Sequence, residues 1–296
     1  MIYNIYHETS FNYEGIVSFS HNLARLKPKS NKYQKLLDFS MKVTPHPYEI
    51  YDFYDIFHNN TSHMLIREPH EKFTVIGKSK VEILTSTIEE KIATCKTNSI
   101  TYEAAIKRIT LFSPSDLFAK LFLFDSELIP KSSQKIREYA MQSFHPKRDL
   151  FEATKEFMTR IYEDFEFVAG FSDVTTPIEK IFEAKQGVCQ DFAQFAISAL
   201  RTIGLPARYM SGYIETIPPK GKQKLFGTDA SHAWFSLYIP SIGWVDFDPT
   251  NNLIPRDQHI LLGYGRDYYD ISPLKGVVFS SGESELEVKV DVSRED

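Results

Sequence analysis

The sequence predicts an α+β protein, because strand-like and helix-like segments are segregated along the 296-residue chain. Residues 1–88 contain short stretches rich in β-branched and aromatic residues, which is typical of a β-sandwich-like region. Residues 101–165 change to helical periodicity, and a further helix followed by alternating strands comes after residue 175. This order predicts helices packed on an antiparallel sheet, next to an N-terminal β-sandwich-like region.

The predicted strands of the N-terminal region are bounded by Asn, Pro, His and Gly. They cover residues 2–6, 49–57, 64–67 and 73–84. Four segments follow from these patterns: a β-rich region at 1–95, a helical connecting segment at 96–170, a core at 171–265 and a C-terminal segment at 266–296. The C-terminal segment alternates in polarity, so we expect its strands to return to the N-terminal sheet. Its apolar positions are Leu286, Val288, Val290 and Val292.

The composition excludes several classes of protein. The chain has 34 basic and 39 acidic residues, which argues against a strongly basic nucleic-acid-binding protein. Cys95 and Cys189 are the two cysteines, and their separation excludes a disulfide framework and the usual zinc or iron–sulfur spacings. The longest apolar runs are shorter than the roughly 18 residues that span a bilayer, and the N-terminus does not resemble a signal peptide. We therefore expect a cytoplasmic protein that contacts neither membrane nor nucleic acid.

The helical signals are clearest in the second half of the chain. Periodic apolar residues predict helices over 132–144 and 148–165. Thr176 followed by Pro177 predicts a short helix that reaches Ala184, with Thr176 as its N-cap. A further helix begins at Cys189 and ends at Gly204, where a glycine is a common stop signal.

Cys189 is the candidate nucleophile, because it occupies the first turn of this apolar helix. The positive end of the helix dipole and the free N–H groups there favour the thiolate form of a cysteine. Gly187 allows a tight turn just before it, and Asp191 is expected to point away from the sulfur. Cys95, in contrast, lies in what reads as a polar connecting region, and we interpret it as an incidental thiol.

A thiolate that attacks an acyl group needs a base and an orienting partner. His232 begins a predicted strand, and a second strand ends in Asp246 and Asp248. If residue 237 pairs with residue 243, His232 lies directly opposite Asp248, where Cβ atoms are about 5 Å apart. Asp246 is the rival acid on the same face, and the strand register decides between the two.

Several segments together resemble the transglutaminase-like superfamily, in its bacterial branch with an N-terminal β-region. They read VCQDFA at 188–193, GLPARY at 204–209, SHAW at 231–234 and GWVDFDPTN at 243–251. The resemblance spans about residues 1–290 and is strongest from 175 to 277. It implies a papain-like thiol fold whose catalytic residues are Cys189, His232 and Asp248. One departure is Gln194, where related sequences often carry His.

The resemblance implies a thiol-dependent acyl-transfer enzyme that forms an acyl intermediate on Cys189. We expect a cysteine protease or amidase that hydrolyses a peptide or isopeptide bond without a metal or organic cofactor. The sequence shows no EF-hand-like oxygen-ligand loop for calcium. Two alternatives stay open: a protein-glutamine transglutaminase, and a peptide-binding module that has lost its activity.

The expected partner is a peptide or protein substrate, and the sequence does not predict the oligomeric state. Candidate substrate-binding residues are Gln190, Trp234 and Tyr213. Four aromatic residues could line a channel for an amine acceptor: Trp234, Tyr213, Trp244 and Tyr238. The loop at residues 218–224 is a candidate rim of the substrate site.

Overall fold

The computed structural model of the chain describes residues 1–111, 116–216, 231–279 and 282–295. The described strands are β1 (Ile2–Val17), β2 (Phe19–Ala24), β3 (Gln34–Thr44), β4 (Glu49–Tyr54), β5 (Asn60–Ile66), β6 (His70–Ile83), β7 (Glu166–Phe167), β8 (Gln186–Gly187), β9 (Ala207–Ile214), β10 (Ser231–Ile239), β11 (Gly243–Phe247), β12 (His259–Gly265), β13 (Leu274–Phe279) and β14 (Ser284–Arg294). The described helices are α1 (Thr85–Asn98), α2 (Tyr102–Thr110), α3 (Leu117–Lys120), α4 (Gln134–Met141), α5 (Leu150–Asp164), α6 (Ile178–Ala184), α7 (Cys189–Thr202) and α8 (Tyr268–Ile271). The segregation of helices and antiparallel strands confirms the predicted α+β class.

Two antiparallel sheets form the N-terminal part of the molecule. The first has the strand order β14-β1-β6-β3 and the second has the order β13-β2-β5-β4. Side chains from both sheets share one apolar cluster, so the two sheets pack as a sandwich. Both C-terminal strands lie in these sheets, with β14 beside β1 and β13 beside β2.

The first half of β1 connects the sandwich to the rest of the molecule. Tyr3 and Ile5 share an apolar cluster with Val292 of β14 and with Tyr213 and Ile260 of the third sheet. The apolar residues of β14, which alternate with polar ones, are therefore buried only where the strand lies against this junction. Val290 and Val292 are buried, whereas Leu286 and Val288, further along the sandwich, are exposed.

The third sheet has the antiparallel order β11-β10-β9-β12 and forms the larger core together with α7. α7 packs against β10 and β9, and α4, α5 and α6 surround it. The apolar residues that predicted α5 are all buried: Phe151, Ala153, Phe157, Ile161 and Phe165. At the other end of α7, Gly204 adopts a φ of 84°, which confirms the predicted glycine stop.

The structure corrects several expectations for the N-terminal region. β2 and β3 are strands that the sequence did not reveal, because most of their residues are polar or only partly buried. α1 spans the predicted boundary after residue 95, and its only buried residues are Ile92 and Cys95, so its apolar face was too narrow to detect. Cys95 is accordingly a buried core residue and not a thiol in a polar connection.

Two further observations concern the helices. α6 begins at Ile178 with Pro177 as its N-cap, one residue later than the sequence indicated. Within the described residues, every helix is too short or too polar to cross a bilayer.

Candidate active site

Cys189 is the first residue of α7, and the loop before it is fixed by Asp191 in the same turn. The Val188 N–H donates a 2.8 Å hydrogen bond to Asp191 Oδ2, and Ser172 donates a second one to the same oxygen. A Cβ atom on Gly187 would lie 2.8 Å from Asp191, so this close approach requires a glycine. Burial raises the pKa of Asp191, although these hydrogen bonds oppose the rise. Asp191 therefore shapes the entrance to the helix, with its carboxylate committed to the loop.

His232 lies near the start of β10, between two of the other predicted site residues, Asp248 and Cys189. Its Nε2 is 2.7 Å from Asp248 Oδ2, and the ring also lies near enough to Cys189 for the two groups to interact electrostatically. Burial alone would lower the pKa of His232, but the hydrogen bonds and charges of Asp248 and Cys189 outweigh it and raise the pKa to about 10. The predicted contact between His232 and Asp248 is confirmed, and the ring is cationic at neutral pH.

The register that led to this contact was wrong. Leu237 pairs with Val245 and Ile239 with Gly243, so the hairpin loop is shorter than expected. β11 ends at Phe247, and no residue of that strand lies opposite His232. Asp248 reaches the imidazole because the chain turns directly after β11, where Asp248 and Leu253 form an isolated bridge. The rival acid, Asp246, accepts a 3.2 Å hydrogen bond from Trp234 Nε1.

Asp248 is completely buried and accepts hydrogen bonds at both oxygens. Oδ1 accepts the N–H groups of Thr250 and Asn251 at 3.0 and 3.3 Å. Oδ2 accepts Asn251 Nδ2 at 2.8 Å in addition to His232, and a second histidine, His259, at 2.9 Å. Burial would raise the pKa of Asp248, but the hydrogen bonds from the two histidines outweigh it and hold the pKa far below its ordinary value.

His259 and Asn251 are site residues that the sequence analysis missed. His259 begins β12 and is 6% exposed, and burial lowers its pKa, so its imidazole is neutral. Its Nε2 therefore donates to Asp248, and its Nδ1 has no hydrogen-bond partner among the described residues. The available signal was a histidine that opens an otherwise apolar strand, because a buried imidazole there needs a polar partner.

A cavity of about 70 Å³ adjoins this cluster on the side of His259. Trp234 and Asp246 also line it, together with Arg256 and with Ile88 and Ile92 of α1. The cavity lies where the core meets the helix that follows the N-terminal sandwich.

The other predicted substrate residues occupy different surroundings. Gln190 is partly buried in the first turn of α7. Trp234 is 1% exposed and stacks beside His232, with ring centroids 6.0 Å apart. Tyr213 is also 1% exposed, and its hydroxyl lies 2.9 Å from Nδ1 of His7 at the junction with the sandwich.

The remaining candidates are the aromatic residues of the predicted acceptor channel and the loop predicted to form the rim of the substrate site. Trp244 packs edge-on against Phe122 and Tyr238, with centroids 5.0 and 5.4 Å away, and the Tyr238 hydroxyl donates to Asp116 at 2.6 Å. These rings are engaged in packing contacts. The candidate rim at 218–224 lies outside the described residues.

Comparison with known proteins supports the same interpretation of the fold. Residues 3–82 match the bacterial transglutaminase-like N-terminal region, and residues 137–249 match the transglutaminase-like superfamily. A crystal structure of a "putative cysteine protease" from Cytophaga hutchinsonii superimposes with a TM-score of 0.75. That match covers 100% of this chain and 92% of the other at 21% identity, so it shows the shared fold.

Similar sequences cover nearly the whole chain. An uncharacterized protein of Mycobacterium tuberculosis is 34% identical over 298 residues, which cover 98% of this chain and 92% of that protein. A Pseudomonas aeruginosa protein-glutamine gamma-glutamyltransferase is 33% identical over 77 residues, or 26% of this chain and 12% of that protein. With these matches and the helix-start cysteine beside a histidine–aspartate pair, the chain belongs to the transglutaminase-like superfamily and carries that superfamily's bacterial N-terminal region.

Proposed function

We propose that the chain is a cysteine hydrolase that cleaves an amide bond of a peptide or protein, including an isopeptide bond, through an acyl intermediate on Cys189. The observation that carries this proposal is the position of His232, which hydrogen-bonds to Asp248 and lies near enough to Cys189 for the thiol to help raise the pKa of the ring. A thiol, an imidazole and a carboxylate in this order are the components of a nucleophilic acyl-transfer site.

The chemistry begins with an ion pair. Asp248 binds Nε2 of His232, so Nδ1 is the nitrogen that remains for the sulfur. Because the pKa of His232 is raised to about 10, the ring is an imidazolium at neutral pH and stabilises a thiolate beside it. The thiolate attacks the carbonyl carbon of the substrate and forms a C–S bond while the carbonyl π electrons move to oxygen.

The tetrahedral intermediate then collapses to the thioester. Its oxyanion is placed to accept the backbone N–H of Cys189, which lies at a helix start and has no acceptor within the helix. The C–N bond breaks, and His232 gives its Nδ1 proton to the departing amine. Neutral His232 next removes a proton from water, the hydroxide attacks the thioester, and the acid leaves as the thiolate and imidazolium are restored.

Asp248 orients and charges this imidazole throughout the cycle. It accepts five hydrogen bonds in the described structure and remains ionised while His232 loses and regains its proton. Asn251 and His259 hold the carboxylate in one orientation, so we regard them as positioning residues. The expected substrate is a peptide or protein, because the nucleophile attacks a carbonyl and the site supplies an acid for the departing amine.

Amine transfer is the second candidate function, and the short match to the gamma-glutamyltransferase favours it. Hydrolysis and transfer share the acyl–Cys189 thioester and differ only in whether water or an amine receives the acyl group. Hydrolysis is supported by the surroundings of the aromatic residues that would line a channel for the amine, because these residues pack against their neighbours. Trp234 is 1% exposed, and Trp244 and Tyr238 pack against each other and their neighbours.

The test is the fate of the acyl-enzyme. A reactive acyl ester of a short peptide is supplied with increasing concentrations of a lysine analogue, up to roughly tens of millimolar, well above common KM values. We expect free acid as the main product at every amine concentration, and no turnover in the Cys189→Ala variant. Saturable and near-complete amide formation would establish a transglutaminase. Turnover that survives Cys189→Ala would refute both candidates.

A further inference from the structure

The hydrogen bonds around Asp248 bring together three atoms of a kind that binds transition metals. His232, Asp248 and His259 each offer one ligand atom, and the three atoms lie within 4.8 Å of one another. Nε2 of His232 and Nε2 of His259 are 2.7 and 2.9 Å from the same carboxylate oxygen, Oδ2 of Asp248, and all three side chains are buried. Two imidazoles and one carboxylate form a donor set that suits zinc and neighbouring divalent metals.

We propose that His232, Asp248 and His259 form an inhibitory binding site for Zn²⁺ or a similar divalent transition-metal ion. The inhibitory consequence rests on the proposed function, whereas the binding itself does not. Zn²⁺ lies about 2.0–2.2 Å from nitrogen and oxygen ligands, so tetrahedral donors are separated by roughly 3.3 Å. The present N–O distances of 2.7 and 2.9 Å need to increase by only about half an ångström.

Asn251 offers a fourth donor at the same place. Its Nδ2 is 2.8 Å from Asp248 Oδ2 and 3.4 Å from His232 Nε2. Rotation of the carboxamide by half a turn would exchange this nitrogen for the Oδ1 oxygen, which can coordinate a cation. The cluster can thus present four donors from three short chain segments.

His259 connects the cluster to the cavity and has a nitrogen that can take the displaced proton. Its side chain lines the cavity, and Nδ1 of His259 has no hydrogen-bond partner among the described residues. When a metal takes the lone pair of Nε2, the proton of a neutral imidazole moves to the other nitrogen. For His259 that nitrogen is the unpartnered Nδ1, so the ring can change tautomer without breaking another hydrogen bond.

Metal binding would stop the thiol chemistry at His232. A metal on Nε2 replaces the hydrogen bond to Asp248, releases the Nε2 proton of the imidazolium to solvent, and leaves a neutral ring whose single proton is on Nδ1. That ring can still donate to the sulfur, but it has no free lone pair with which to remove a proton from water. Ca²⁺ and Mg²⁺ prefer oxygen ligands, so we expect them not to inhibit.

The decisive experiment measures binding without activity. The Cys189→Ala variant removes the thiolate, which is itself a strong zinc ligand. Equilibrium dialysis with Zn²⁺, and the visible spectrum of bound Co²⁺, give the stoichiometry and the ligand type. We expect one metal ion per chain in Cys189→Ala, without a sulfur-to-cobalt charge-transfer band.

A pair of variants in the Cys189→Ala background locates the ion. His259→Gln can still donate a hydrogen bond to Asp248 but lacks the imidazole, so we expect at least about tenfold weaker metal binding. His21→Ala is the matched control, because His21 and His63 form a histidine pair on the sandwich surface, 3.0 Å apart. That variant should bind the metal like its parent.

The results separate the two proposals. If Cys189→Ala abolishes binding, the metal is held by the sulfur, and the proposed site is wrong. Equal binding in His259→Gln, or loss of binding in His21→Ala, overturns it as well. In the chain with Cys189 intact, micromolar Zn²⁺ should inhibit turnover, and His259→Gln should need at least about tenfold more metal for half-inhibition relative to its own metal-free rate. A chain that binds the metal as expected but has no acyl-transfer activity would keep the site and refute the function.

Discussion

Two equally buried histidines, one at the junction with the N-terminal sandwich and one in the core, titrate in opposite directions. His7 on β1 is 2% exposed and His232 on β10 is 7% exposed. His7 lies between two hydroxyl groups, those of Tyr213 and Thr9, each 2.9 Å away, and burial lowers its pKa to about 4. His232 faces a carboxylate and a thiol, which raise its pKa to about 10 despite burial.

Burial favours the neutral form of both histidines, and the charge of the partners decides whether that effect is overcome. Neutral hydroxyls do not oppose it, so such a histidine stays neutral and contributes hydrogen bonds that hold two sheets together. An ionised carboxylate keeps a histidine cationic, which is the state that a thiol nucleophile requires. Substitutions in the core should accordingly change activity, and substitutions at the junction should change stability.

The largest effect is expected at Asp248, where the comparison predicts a loss of activity. Asp248→Asn removes the negative charge that keeps His232 cationic, so kcat/KM should fall on the order of 10²–10⁴-fold. Asp246→Asn is the matched control, because Asp246 contacts Trp234 and lies two residues away. Its loss should stay below about tenfold. Rates with a reactive acyl substrate, and melting temperatures as a check of folding, measure both, and a larger loss in Asp246→Asn would reject the assignment.

Part of this site could be predicted from the sequence because its signals are local. The start and the end of α7 depend on Cys189, Gly204 and their immediate neighbours. The face of β11 that carries Asp246 follows from alternation, which a two-residue error in register leaves unchanged. Asp248 lies just after the strand and reaches His232 through the turn. The predicted contact is therefore correct, although the strand pairing that predicted it is wrong.

The remainder depends on contacts between distant segments, and no local pattern contains them. His259 reaches Asp248 from β12, which pairs with β9 and follows the turn after β11. The polar strand β3 is held by pairing with β6, and a short apolar pattern could not reveal it. Cys95 is buried because α1 packs on the core, although its own helix has few apolar residues.

The two cysteines extend the comparison to chemical reactivity. Cys95 is fully buried, and burial raises its pKa, whereas Cys189 is partly exposed beside a cationic imidazole. Brief treatment with iodoacetamide at pH 7 should alkylate Cys189 at least about 100-fold faster than Cys95. Peptide mapping by mass spectrometry gives both rates in one sample. Equal rates in the folded protein would contradict a nucleophilic Cys189, and Asp248→Asn should slow the reaction of Cys189 alone.

At the junction, the comparison predicts a stability that depends on pH. The pKa of His7 is about 4 in the folded chain and about 6.5 in the unfolded chain, so the unfolded state takes up a proton first as the pH falls. The stabilisation is complete above pH 6.5 and decreases between pH 6.5 and 4, by up to about 3 kcal/mol from this residue.

Urea unfolding across this range should show a smaller pH dependence in His7→Gln than in the parent chain. His21→Gln, at an exposed histidine of the sandwich, is the control. An unchanged pH dependence in His7→Gln would show that His7 does not titrate as its surroundings indicate.

The smallest effect is expected at Tyr213, where the sequence analysis and the structure give different predictions. As a substrate-binding residue, Tyr213 would affect KM when its hydroxyl is removed. As a junction residue, it holds Nδ1 of His7 at 2.9 Å, so Tyr213→Phe leaves a buried nitrogen unpaired and should cost about 1–2 kcal/mol of unfolding free energy. We expect the second result, with kcat and KM unchanged, because the side chain is 1% exposed and packs against Tyr3 and Ile5. The double variant with His7→Phe should recover much of the loss, since it replaces both polar partners together. A raised KM with unchanged stability would instead place Tyr213 at the substrate and remove the distinction between the two regions.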